Sequence, residues 1–173
     1  VHHGNGTQEI FWKDPTGMYC SPHQMPLYPG TGAKSERGDH DNIVNAPLRA
    51  GDGGEQFRAA MESVILPRIE AFGPDFLIIS SGFDAHIRDP LANLNFTEED
   101  FAWATKKLME IADRKAGGRL ISVLEGGYDL QGLAGSVAGQ AYMNTYTRDA
   151  EREADALAVE TMVHAGWNPE GMV

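Results

Sequence analysis

Two short apolar runs, FLIIS (Phe76–Ser80) and LISVL (Leu120–Leu124), do most to restrict how this chain can fold. Neither alternates apolar with polar, as a half-solvated strand would, and both are too short for a buried helix. Pro74 and Gly82 bound the first, and Gly117-Gly118 and Gly126 bound the second. Such runs are predicted to be strands buried on both faces of a parallel sheet.

The segments around them carry helical periodicity. From Glu55 to Phe72 the apolar positions Phe57, Met61, Val64, Ile65, Ile69 and Phe72 share one helical face. Pro67 has no N–H and is expected to bend that helix or break it in two. Thr97 is placed to cap the next helix, with Glu98, Glu99 and Asp100 at the positive end of its dipole. Phe101, Ala104, Leu108, Ile111 and Ala112 supply its buried stripe, and Gly117-Gly118 ends it. Helix, strand, helix, strand is the rhythm of an α/β fold with a parallel sheet.

The first 54 residues contrast with this order. GNGT, DPTG, YPGTG, ERGDHDN and AGDGG are turn signals at short spacing, and an irregular stretch of this length in a compact domain points to function. The chain opens VHHGNGT with no Met, which reads as the exit from a strand lying upstream. From about Tyr142 a charged amphipathic helix is expected, followed by HAGWNPEGM.

Lys and Arg total 14 against 25 Asp and Glu, a formal net charge of −11, so direct nucleic-acid binding is a poor expectation. Cys20 is the single cysteine, which rules out an intrachain disulfide and fits a reducing, cytoplasmic setting. No apolar run approaches the ~20 residues that span a bilayer.

In open α/β sheets, ligands bind beyond the carboxyl ends of the strands. SGFDAH follows the first apolar run and EGGYD the second, placing Asp84 and Tyr128 there. His2 and His3, ahead of Gly-Asn-Gly, form a third such loop, and imidazole converging with carboxylate makes a zinc site. Each residue also has a plain structural role open to it. Asp84 could cap the segment that follows, Tyr128 could be a half-buried aromatic, and His2-His3 could be a satisfied loop pair. His23, His40 and His86 stand alone and read as structural or surface groups.

Taken together, VHHGNGTQEIF, SPHQMPLYPGTG, SSGFDAHIRDPLANLNFTEEDF and SVLEGGYDL resemble, in order and spacing, the second half of the zinc-dependent histone deacetylase family. The similarity is greatest to its class II members and to the bacterial histone deacetylase-like and acetylpolyamine amidohydrolases. The resemblance implies the C-terminal portion of a three-layer, parallel-sheet arginase/deacetylase-like α/β fold over residues 1–140, with residues 141–173 a helical tail of different origin. It implies a catalytic zinc held by an Asp-x-His pair and one further Asp. Read onto this chain, His2 is the histidine ligand and Asp84 the second aspartate, while the first aspartate would lie one residue before Val1.

By the same resemblance Tyr128 polarises the substrate carbonyl and stabilises the oxyanion, and Gly126 and Gly127 let its loop approach the substrate. Tyr28 lines the acyl-lysine channel and Leu91 its rim. Ser21 and His23 fall near a structural monovalent-cation site. The implied reaction is metal-assisted hydrolysis of the acetamide of acetyl-lysine or an acetylpolyamine. The family's general-base histidines belong to its N-terminal half, so little activity and weak zinc binding are expected of this chain alone. Strands stripped of neighbours also predict self-association.

Finally, YTRDAEREADALAVETMVHAGWNP resembles a helix of HtpX-like zinc metalloproteases, in which Glu151 would be a zinc ligand. Their H-E-x-x-H is missing here, so the charged residues of this segment also read as the solvated face of an ordinary helix. Three functions stay open: an amidohydrolase fragment, a non-catalytic association remnant and a metalloprotease remnant.

Overall fold

The computed structural model describes residues 1–144, with side chains through residue 141. The elements run α1 (Asn5–Phe11), β1 (Tyr19–Gln24), β2 (Ile43–Leu48), α2 (Gly54–Ala60), α3 (Leu66–Phe72), β3 (Leu77–Gly82), α4 (Glu98–Lys115), β4 (Leu120–Gly126) and α5 (Leu130–Asn144). β1 pairs with β2, and β3 with β4, both in parallel. The α/β class with parallel strands is as the sequence predicts.

The apolar face of the Glu55–Phe72 segment is buried as expected, through Phe57, Met61, Ile65 and Ile69. Its helix, however, is interrupted by a π-helical turn, Met61–Ile65, before Pro67. A proline ring clashes with the carbonyl four residues earlier, and the wider π turn ahead of it relieves that clash. Phe57, Met61, Ile65 and Ile69 pack with Val44, Ala46 and Leu48 of β2, and with Leu94, Phe96 and Ile111, into one core.

α4 begins where the sequence places it. Asp100 accepts hydrogen bonds from the Thr97 backbone N–H at 2.9 Å and from its hydroxyl at 3.2 Å, and Arg58 clamps the same carboxylate at 2.9 Å. Leu108, Ala104 and Phe101 pack against the core, and Ile111 and Ala112 are buried in it. Gly117 and Gly118 both take positive φ, ending the helix.

Two expectations need correction. The first 54 residues are not irregular throughout: they contain α1, β1 and β2. β1 reads YCSPHQ and β2 IVNAPL, so a proline in each and polar residues between hide the strand signal. β3 and β4 are not buried on both faces, since Ile78 is 65% exposed, Ile121 47% and Val123 45%. Gln140 of α5 bonds both Ser81 and Ser122 on one side of this two-stranded pair, but Leu124 on that side is 59% exposed, and the Ile78–Ile121 side is open. The charged helix expected from about Tyr142 lies almost wholly outside the described residues, while α5, a helix that the sequence did not announce, begins at Leu130. Its glycines lower helix propensity but let it approach closely. A Cβ on Gly132 would lie 2.7 Å from the His86 ring, and one on Gly135 2.8 Å from Glu98.

No helix among the described residues is long and apolar enough to cross a membrane. Residues 145–173, with Glu151 and the metalloprotease-like segment, lie outside the described residues.

Candidate functional site

The loops at the carboxyl ends of the strands bring the first two site residues together. His2 lies just before α1 and Asp84 in the 3-10 turn (Phe83–Ala85) that follows β3. His2 Nδ1 and Asp84 Oδ2 are 3.1 Å apart. Asp84 is buried at 5% exposure, and its other oxygen accepts from the Val1 backbone nitrogen at 3.1 Å. Buried carboxylates need partners of this sort.

Gly126 belongs beside them for a steric reason. A Cβ there would sit 3.1 Å from Asp84 Cγ and 3.2 Å from both carboxylate oxygens. Only glycine leaves the carboxylate unhindered. Gly127 follows with φ +137°, a conformation open to glycine, and turns the chain toward Tyr128.

Of the residues expected to line the channel, Tyr28 is 79% exposed and Leu91 55%, while Gly126 and Gly127 are half-buried; the expected oxyanion donor Tyr128 is 59% exposed. Leu91 and Tyr128 come from different loops yet share one anchor, Asp89. Its Oδ1 accepts from the Leu91 N–H at 3.0 Å and its Oδ2 from the Tyr128 N–H at 2.7 Å.

Tyr28 lies in a loop that a buried polar network holds. His3 bonds Thr31 Oγ1 at 2.8 Å and Gln8 Oε1 at 3.0 Å. Glu36 accepts from Gln8 Nε2 at 2.7 Å, from the Gly32 N–H at 3.0 Å and from the Ala33 N–H at 3.1 Å. Burial would raise the Glu36 carboxyl, but these donors outweigh it and hold the pKa below the usual carboxylate range. His23 is fully buried, with Nε2 3.1 Å from the Gly32 carbonyl and Nδ1 3.0 Å from Ser21 Oγ. Burial, then the neighbouring His3, pushes its pKa down. His3, His23 and His86 are buried, and His40 is exposed at the surface.

Sequence reasoning did not single out Asp89, Gln8, Thr31, Glu36 or Asn45. For Asp89 a signal existed, since it begins the DPL segment that also carries Leu91. The others act through contacts between loops distant in sequence, such as Asn45 Nδ2 donating to Gln8 Oε1 at 2.8 Å.

Tetrahedral zinc with ligands at about 2.0–2.2 Å sets neighbouring donor atoms roughly 3.3 Å apart, so a 3.1 Å imidazole–carboxylate pair suits it in type and spacing. Among the described residues, no cluster of three or more His, Cys, Asp or Glu forms such a site. A catalytic zinc site takes three protein ligands, and the pair offers two donors of the right type.

The family profile described as histone deacetylase domain matches residues 1–142. An uncharacterized protein of Synechocystis is 47% identical over 137 residues, covering 79% of this chain and 43% of the relative. The chloroplastic histone deacetylase 14 of Arabidopsis thaliana is 43% identical over 141 residues, covering 80% and 33%. The crystal structure of the HDA15 HD domain superposes with a TM-score of 0.77 at 39% identity, covering 83% of this chain and 42% of that one. The chain thus spans less than half the length of these relatives. Over residues 1–142, it belongs to the histone deacetylase domain family.

Proposed function

We propose that this chain supplies part of the catalytic centre of a zinc-dependent amidohydrolase that removes acetyl groups from acetyl-lysine or an acetylpolyamine. The observation that carries the reading is the convergence of His2 Nδ1 and Asp84 Oδ2 to 3.1 Å, on loops at one end of the fold. His2 and Asp84 would hold the metal. Zinc, when bound, supplies Lewis acidity toward the acetamide carbonyl and the attacking water. Tyr128 donates a hydrogen bond to the oxyanion as the carbonyl carbon becomes tetrahedral. Gly126 keeps space beside Asp84, Tyr28 flanks the acyl chain and Leu91 sits at the rim.

Leu91 carries no charge to meet a polyamine cation, which favours acyl-lysine peptides. A monovalent cation near Ser21 and His23 is a secondary part of the proposal, as is a cytoplasmic or other reducing setting. We further take residues 1–140 as the deacetylase portion and 141–173 as a separate extension.

Metal analysis of the chain after dialysis against zinc tests the ligand assignment. The parent should retain more zinc than Asp84→Ala, and equal retention would remove Asp84 from the ligand set. In the full-length protein, chelator-sensitive release of acetate from an acetyl-lysine peptide is expected. Turnover that survives chelation would overturn the metal mechanism.

A further inference from the structure

Tyr128 is 59% exposed, so the position of its side chain depends on its backbone. The peptide before it is Gly127, at φ +137°, the residue type that least restrains a loop. An oxyanion donor must nevertheless sit within about 2.7–3.1 Å of the developing charge. Something other than β4 has to hold this loop.

We propose that Asp89 is the positioning residue that does so, an inference that rests on reading Tyr128 as the oxyanion donor. Asp89 is 6% exposed. Its Oδ2 accepts from the Tyr128 N–H at 2.7 Å and the Asp129 N–H at 3.4 Å, while Oδ1 accepts from the Leu91 N–H at 3.0 Å. One buried carboxylate therefore fixes the spacing between the oxyanion donor and the channel rim. Its neighbour Arg88 reinforces the tie, with Nε donating to Asp129 Oδ1 at 3.1 Å and Nη2 to Gln131 Oε1. The bonds to Asp89 are charge-assisted, so each is stronger than a neutral one. An isosteric Asn cannot replace it: whichever way its amide is turned, its NH2 faces either the Tyr128 N–H or the Leu91 N–H.

Amide hydrogen exchange on the 173-residue chain, resolved by NMR, tests the tether without recourse to activity. In the parent, the Tyr128 and Leu91 amides should both be protected. In Asp89→Asn at least one should exchange roughly tenfold to a hundredfold faster, with the Ile121 amide of β4 unchanged. Free-peptide exchange of Tyr128 in the parent overturns the proposal, even if the variant fails to fold. Unchanged protection in a folded variant overturns it too.

The catalytic consequence is read in the full-length protein. There Asp89→Asn should lower kcat about tenfold and leave KM for an acetyl-lysine peptide unchanged, since a misplaced donor loses transition-state stabilisation alone. A rise in KM with kcat intact would overturn the positioning role. Tyr128→Phe keeps the two readings apart: full activity of that variant sinks the role of Tyr128, whereas the exchange data judge the tether by themselves.

Discussion

At the scale of single residues, the site depends on what each position leaves room for. Gly126→Ala would bring a methyl to 3.1 Å from Asp84 Cγ and force the carboxylate aside. Supporting contacts of this kind change metal affinity by roughly 10–100-fold, so the variant should bind zinc about tenfold more weakly while β3–β4 pairing persists. Zinc titration with a competing chelator reads the first quantity and circular dichroism the second. Glu36 gives a pH dependence of definite sign. Its folded pKa lies below the ordinary 4.5, so the stability it contributes is complete above that value and is lost as pH falls through the lowered one. Thermal unfolding of the parent should weaken more steeply than that of Glu36→Gln between about pH 5 and pH 3. Parallel curves would show that the network is not anchored by an ionised carboxylate.

At the scale of elements, α4 shows how a few side chains join helices that are far apart in sequence. Asp100 closes the start of α4 on Thr97 through Oδ2 and accepts two bonds from Arg58 of α2 on Oδ1. Asp100→Ala removes both functions and should cost about 2 kcal/mol in chemical denaturation. Thr97→Ala leaves the Arg58 bond in place and should cost less. A reversed order would mean that the helix start, not the link to α2, dominates. The element boundaries were legible where a cap, a glycine pair or an apolar run marked them, as in α3, α4 and β4. They were hidden in β1 and β2, whose prolines and polar residues are tolerated because partner strands and the core behind them supply what local propensity does not.

At the scale of the whole molecule, β3–β4 carries an open apolar face. Ile78 and Ile121 face each other in register, and Val123 lies two residues along the same face. Apolar side chains left in water in this way drive association, each worth about 1.5–3 kcal/mol when covered. Sedimentation should therefore show concentration-dependent self-association, which Ile78→Lys with Val123→Lys reduces. A parent chain that stays monomeric at high concentration would count against an interface on this face.

The sequence alone was enough to identify an α/β chain with parallel strands, and it marked the loops of His2, Asp84 and Tyr128 as candidates for a site. Those features are local: apolar runs, caps and glycines act within a few residues, and motif order survives in any reading of the chain. Only the tertiary structure could bring His2 within 3.1 Å of an aspartate 82 positions away, or show one carboxylate, Asp89, holding two loops at once. Distances across the fold are fixed by packing and by the satisfaction of buried polar groups, neither of which has a period or a spacing to be read along the chain. His2 and Asp84 are marked by local motifs, whereas the residues that hold their loops in shape are distant in sequence and meet only in the folded chain.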